Sequence, residues 1–195
     1  MTKDLSERTK EELWKLFPII ISKHNPVWKE NYLSEKAVIE KVIGIDNITR
    51  INHYGSTIVP NLLAKPTIDI LVEIKDPADT EKIIVDMKAA GYIYSPQPDN
   101  PAPHMMFMKG YTNEGFKGQA YHVHVRYSGD WDELYFRDYL LAHPDVAEEY
   151  GKLKLELKQK FEYNRDGYTY AKTDFIKKIT KLARVEMKNK YDLRF

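Results

Sequence analysis

The feature that most constrains the fold is a Gly-Ser turn between two runs rich in β-branched and aromatic residues, 47–54 and 67–74. Such runs are typical of β-strands, and the segment between them predicts a turn with a short helix. Gly55 allows close backbone approach, the N–H groups that open a helix attract anions, and the hydroxyl of Ser56 can donate to phosphate oxygens. Asp69 lies early in the second run, where its carboxylate can hold a divalent cation. The pattern predicts a phosphate cradle next to a metal ligand.

The remaining patterns predict an α+β or α/β fold, in which helices flank a mixed β-sheet and a helical segment follows at the C-terminus. We expect one domain spanning 1–195, with helices and the sheet in 1–127 and a helical part in 128–195. Two stretches rich in proline or glycine, 95–103 and 112–118, are predicted to be exposed loops beside the cleft. The predicted elements are helices at 11–17, 26–43 and 79–90, hairpin strands at 91–94, 104–109 and 120–127, and three helices after 130.

Composition excludes several classes of protein. The chain has no cysteine, which rules out disulfides and thiolate metal sites and favours a cytoplasmic location. Thirty basic and 29 acidic residues nearly cancel, so we do not expect binding to duplex nucleic acid. The apolar stretch at 17–21 is too short for a signal segment or a membrane span, so we expect no membrane association.

The turn and the strand after it resemble the nucleotidyltransferase superfamily, in which a Gly-Ser pair precedes two alternating acids on a strand. Tyr54, Gly55, Ser56 and Asp69 match this signature, but Leu71 stands where the second acid is expected. Glu73 lies on the same face, two residues further along the strand. The longer stretch HYGSTIVPNLLAKPTIDI resembles the GrpB family, for which no reaction is established. Further matches to that family include HVHV at 122–125, FRDYLLAHPDVAEEYGKLK from position 136, and Tyr168 with Lys172.

The resemblance to the superfamily also implies a third metal ligand from a later strand. His122 and His124 alternate on the predicted strand at 120–127, so both imidazoles face one side. We predict that His124, together with His122, joins Asp69 in a metal site. Two imidazoles and one carboxylate suit zinc, manganese, iron or nickel better than magnesium, which prefers oxygen ligands. The alternative is that both histidines are hydrogen-bonded within a half-buried sheet.

Five further residues are candidates for binding phosphate or substrate. His53 precedes the Gly-Ser turn, and Arg126 lies beyond the two histidines on the same strand face. Lys65 enters the strand that carries Asp69, where its ammonium group can neutralise a phosphate. Tyr168 and Lys172 are four residues apart on a predicted helix, so they share a face that can take a base and a phosphate. The alternatives are a structural hydrogen bond for His53 and ordinary solvent exposure for the lysines.

These residues support three functional hypotheses. The first is a nucleotidyltransferase, with Gly55 and Ser56 on the phosphates, Asp69 on a magnesium, manganese or zinc ion, and His124 on the metal or the acceptor proton. The second is a catalytically degenerate protein that binds a nucleotide or a phosphorylated metabolite, which Leu71 favours. The third is an Asp-His-His metal-dependent hydrolase. Each takes a nucleotide or a phosphorylated small molecule as its partner, and the oligomeric state stays open.

Overall fold

The computed structural model describes residues 3–192, so the predicted domain of 1–195 extends beyond the described range at both ends. The first helix, α1 (Lys10–Leu16), begins at Thr9, where the predicted capping box is present. Thr9 accepts a hydrogen bond from the backbone N–H of Glu12, and the Glu12 carboxylate accepts one from the N–H of Thr9. Helix α2 (Val27–Ile43) follows and ends at Gly44, which has a φ of 85°.

The sheet confirms the predicted mixed architecture. Its described strands are β1 (Ile48–His53), β2 (Thr67–Ile74), β3 (Ile93–Pro96), β4 (Met105–Thr112) and β5 (Gly115–Tyr127). They lie in the order β1-β2-β5-β4-β3. The pair formed by β2 and β5 is parallel, and the other three neighbouring pairs are antiparallel. The two central strands therefore run side by side in the same direction, with hairpins on one flank and β1 on the other.

Alternation along β2 and β5 gives the sheet two different faces. Ile68, Ile70 and Val72 on β2, with Val123 and Val125 on β5, are fully buried. They pack against α2 and against α3 (Thr80–Ala89) in the main hydrophobic core. On the opposite face the parallel register pairs Asp69 with His122, Leu71 with His124 and Glu73 with Arg126. One face is thus the core, and the other carries the polar residues that the sequence singled out.

The prediction of a loop at 112–118 is wrong, because β4 and β5 continue into this stretch and form a hairpin. Its turn is residues 113–114. Gly115 and Gly118 supply backbone with φ of 111° and 69°, which allows the hairpin to twist. The ring of Phe116 packs 5.1 Å from that of Phe17, so the hairpin is held by the N-terminal segment. A local count of glycines does not show this long-range contact.

The C-terminal part has four helices in the described residues instead of the three predicted. They are α4 (Asp132–Ala142), α5 (Pro144–Phe161), α6 (Arg165–Tyr170) and α7 (Thr173–Glu186). No glycine or proline marks the break at 171–172. It accompanies the packing of Tyr168, which is fully buried beside Ile19 and Leu157. No helix within residues 3–192 has the length and apolar character needed to cross a bilayer.

A buried ion pair joins β1, β2 and the segment before α4. The Glu73 carboxylate is fully buried and accepts hydrogen bonds from the Arg50 guanidinium and from the backbone N–H of Gly129, at 3.0 Å for the latter. Arg50 also donates to the carbonyl of Gly129 at 2.8 Å. A buried carboxylate is tolerated only when it is paired in this way. Glu73 is therefore a structural residue.

We predict that Arg50→Met lowers the free energy of unfolding by roughly 3 to 5 kcal/mol, because it leaves the Glu73 charge buried and unpaired. Urea unfolding measures this change. Arg50→Met/Glu73→Met should recover part of the loss, since the unpaired charge is removed. The matched control is Lys152→Met. The side chain of Lys152 is 69% exposed and forms an ion pair with Glu148. It should change stability by less than about 1 kcal/mol. Equal losses in Arg50→Met and the control would contradict the assignment.

Candidate functional site

Gly55 and Asp69 form one packing unit. The loop after β1 passes so close to β2 that a Cβ at Gly55 would overlap the Asp69 carboxylate, at 2.8 Å from its Cγ. The N–H of Tyr54 donates to the Asp69 carbonyl at 3.1 Å and fixes this approach. The φ of Gly55 is −73°, so glycine is needed here for space and not for backbone conformation. The helix after it is a single 3-10 turn, Ser56–Ile58, too short to supply the predicted helix dipole.

Asp69 is held by a hydrogen-bonded histidine. Its Oδ1 lies 3.3 Å from Nδ1 of His122, whose Nε2 lies 2.7 Å from the Tyr111 hydroxyl. Burial disfavours the Asp69 charge, but the contact with His122 and the nearby cations hold its pKa below the usual range. Burial also lowers the pKa of His122, although Asp69 opposes this. A neutral His122 that donates from Nδ1 and accepts at Nε2 satisfies both contacts, so both ring nitrogens are occupied.

The predicted metal ligands are not arranged as a three-ligand set. Nδ1 of His124 faces Nε2 of His104 at 3.3 Å, and burial lowers the pKa of His124 to about 3. Leu71 is buried on this face, and Glu73 is engaged by Arg50. Within residues 3–192, no three histidine, aspartate or glutamate side chains are grouped so that they could hold a metal ion. The donors at Asp69 therefore do not fit a preassembled divalent metal site.

Three lysines converge on the same cleft. Lys65 precedes β2, Lys154 lies on α5, and Lys172 lies between α6 and α7. The ammonium of Lys154 donates to the Ser56 hydroxyl at 3.1 Å. Those of Lys172 and Lys65 lie 4.6 Å and 5.9 Å from the centre of the Tyr168 ring. Among the ion pairs of the described residues, none joins these lysines to a carboxylate.

The surroundings of the three lysines disfavour their charges. Burial lowers the pKa of Lys154 to about 6, and the repulsion of Lys172 and Lys65 adds to the effect. Burial and nearby cations, Arg165 foremost, lower the pKa of Lys65 to about 7. Burial also lowers the pKa of Lys172 to about 8. Asp69 acts in the opposite direction on all three. The cleft therefore disfavours several positive charges at once, a property that is common at functional sites.

The cleft around these groups lies between the polar sheet face and the C-terminal helices and has a volume of about 1330 Å³. This is somewhat larger than the usual volume of a small-molecule site. At the end away from the lysines, Arg126 donates to Glu133 at 2.7 Å and lies 4.6 Å from the centre of the Trp131 ring. Arg126 is therefore engaged within the protein.

The structure gathers most of the predicted site residues but not all of them. Those that line the cleft are Gly55, Ser56, Lys65, Asp69, His122, His124, Arg126, Tyr168 and Lys172. His53 does not line it: this residue is buried, its Nε2 lies 2.7 Å from the Thr57 hydroxyl, and its ring stacks on Tyr32 at 4.9 Å. Burial lowers the pKa of His53 to about 4. These contacts support the structural alternative for His53.

Sequence reasoning missed Lys154 and Arg165. Lys154 lies at helical spacing from Ala147, Tyr150 and Leu157, which are all buried. A lysine within the apolar face of an amphipathic helix is the signal that could have identified it. Arg165 begins α6 and approaches the Tyr111 hydroxyl at 3.4 Å from a distant part of the chain. No local pattern marks that contact.

Comparison with known proteins agrees with this architecture. A family model described as GrpB protein matches residues 18–182. The glutamate-rich protein GrpB of Alkalihalophilus pseudofirmus is 35% identical over 165 residues, which cover 83% of this chain and 93% of that protein. The UPF0157 protein YqkA of Bacillus subtilis is 34% identical; the match covers 79% of this chain and 44% of YqkA, so the chain spans less than half of that relative.

A solved structure supports the fold independently. The crystal structure of the conserved protein GrpB from Enterococcus faecalis matches with a TM-score of 0.72 at 32% identity, covering 86% of this chain and 98% of that one. The five-stranded mixed sheet flanked by helices is thus shared with a solved relative. Since the family model covers most of the sequence and the relatives match over most of this chain, the chain belongs to the GrpB family.

Proposed function

We propose that this protein binds the phosphate group of a nucleotide or a phosphorylated metabolite in the cleft between the sheet and the C-terminal helices. The observation that carries the proposal is the convergence of Lys65, Lys154 and Lys172 beside Ser56 without an ion-paired carboxylate among the described residues. Ammonium groups and a hydroxyl are common ligands of phosphate oxygens. A bound phosphate would add negative charge to that of Asp69, the single carboxylate that acts on all three lysines.

The energetic cost of burying the three lysines also supports the binding of an anion. Burying three lysines near a single carboxylate, that of Asp69, is unfavourable, and burial lowers the pKa of all three. An arrangement of this kind is typical of functional sites, where local instability is retained for binding. A ligand that restores the ammonium charges would stabilise the folded chain by mass action.

We favour binding over nucleotidyl transfer. Two-metal catalysis needs a set of carboxylates around the reacting phosphate. Leu71 is apolar, and Glu73 is fully buried in its pair with Arg50. The hydrolase hypothesis needs Asp69, His122 and His124 as a joint ligand set, whereas His124 pairs with His104. In this proposal the resemblance to nucleotidyltransferases extends to the Gly-Ser loop, and the lysines determine what the cleft binds.

We predict that Lys154→Met weakens the binding of pyrophosphate and of ATP about 10- to 100-fold, because a charged hydrogen-bond donor contributes roughly 1.5 to 3 kcal/mol. Isothermal titration calorimetry measures both affinities. Lys152→Met is the matched control, since Lys152 is an exposed lysine on the same helix. It should bind like the wild type. Equal affinity in wild type and Lys154→Met would refute a role for Lys154.

The same substitution should stabilise the free protein. Lys154 is 3% exposed, and methionine has a similar shape without the charge that burial disfavours. Each unit of pKa displacement corresponds to about 1.4 kcal/mol. Because the substitution also removes the contact with Ser56, we expect the free energy of unfolding to rise by only about 2 kcal/mol. Urea unfolding of the ligand-free protein at neutral pH measures it. A loss of stability would instead make Lys154 a structural residue.

Binding should weaken as the pH rises from 6 to 9. The lysine pKa values of about 6, 7 and 8 are those of the free cleft, and a bound anion raises them, so binding takes up protons. Affinity is therefore highest below these values and falls as the pH passes through them. Sulfate is the suitable probe because its own charge stays constant over this range. Sulfate affinity that is independent of pH would contradict the role of the lysines.

A further inference from the structure

The charge balance of the cleft bears on the form in which a phosphorylated ligand binds. Proteins commonly hold di- and triphosphates as magnesium complexes, with the metal on one or two carboxylates. Asp69 is the carboxylate at the phosphate end of this cleft, and the strand position two residues on is the buried Leu71. A magnesium ion here would have one of these carboxylates at most, and Asp69 already contacts His122, so the site disfavours magnesium.

The groups that contact the Asp69 carboxylate also disfavour a bound metal ion. Its carboxylate packs against the Gly55 backbone on one side and contacts Nδ1 of His122 on the other. A divalent ion at this carboxylate would compete with the His122 contact. It would also lie in a cleft where the charges of Lys65, Lys154 and Lys172 already repel one another. Repulsion between like charges is strong in such partly buried surroundings.

We propose that Lys65, Lys154 and Lys172 take the place of a divalent metal, so that the cleft binds a di- or triphosphate group that carries no metal ion. This inference rests on the proposed function and specifies the ligand form. With Arg165, the protonated lysines carry four positive charges against the one negative charge of Asp69. The other carboxylates that line the cleft, those of Asp130, Asp132, Glu133 and Asp166, form ion pairs with other residues. That surplus suits a free polyphosphate better than its magnesium complex, in which the metal has already offset part of the negative charge.

The lysines also have the geometry for this task. They come from three separate parts of the chain and line the same cleft. Lys154 is positioned by its hydrogen bond to Ser56, and Lys172 and Lys65 lie near the same tyrosine ring. Protonated, each offers three donors, which together can replace the oxygen contacts that a metal would make.

The decisive experiment is calorimetric titration of the full chain with pyrophosphate, in EDTA and in excess magnesium, at pH 6.5 and constant ionic strength. We expect binding in EDTA, and affinity several-fold weaker in excess magnesium because the metal competes for the free ligand. Binding in EDTA should be about 10- to 100-fold weaker in Lys154→Met and unchanged in Lys152→Met. A requirement for magnesium would overturn this inference and leave the proposed function standing. No binding under either condition would overturn both.

A second measurement addresses the metal directly. The ligand-free protein is titrated with manganese alone, and bound manganese is followed by electron paramagnetic resonance. We expect no saturable binding at Asp69. Stoichiometric manganese binding that disappears in Asp69→Ala, while the variant keeps its wild-type circular dichroism spectrum, would overturn the inference even if pyrophosphate also binds in EDTA.

Discussion

The parallel pairing of β2 with β5 is the constraint on which the site depends. Because side chains alternate across a sheet, this register places Asp69, Leu71 and Glu73 beside His122, His124 and Arg126 on one face. The opposite face is filled by the isoleucines and valines of the same strands, which fixes the register against a one-residue slip. The apolar core therefore determines where the polar residues meet. Each polar residue on this face then contacts the groups next to it. The three lysines of the cleft lie on segments outside the sheet.

The residues of the Gly-Ser motif have roles different from those that the motif alone suggests. Gly55 is required because the Asp69 carboxylate fills the space where its side chain would be. Ser56 is held by Lys154. Glu73, the nearest substitute for a missing acid, belongs to a buried ion pair that joins β1 and β2. The Gly-Ser motif thus serves packing, while the positive charge of the cleft comes from residues outside that motif.

Much of the fold could be predicted from local patterns. The β-branched runs, the capping box at Thr9 and the alternation of His122 with His124 all describe interactions between residues close in sequence, and the structure agrees with them. The errors arose where distant segments decide the outcome. Phe17 holds the hairpin around Phe116, and the burial of Tyr168 accompanies the break between α6 and α7. Arg165 reaches the site through tertiary packing, and Lys154 is marked only by its place in the apolar face of α5, so the sequence spacing around Asp69 could reveal neither.

The distribution of the lysines along the chain has a consequence for protein synthesis. Gly55, Ser56, Asp69 and His122 all precede α4, but Lys154 lies on α5 and Lys172 follows α6. A nascent chain that has emerged only through β5 contains the whole sheet and a single lysine of the three. The Gly-Ser loop is then present without its positive surroundings. A ligand bound by all three lysines can therefore stabilise a nascent chain only after every strand of the sheet, α5 and α6 have emerged from the ribosome.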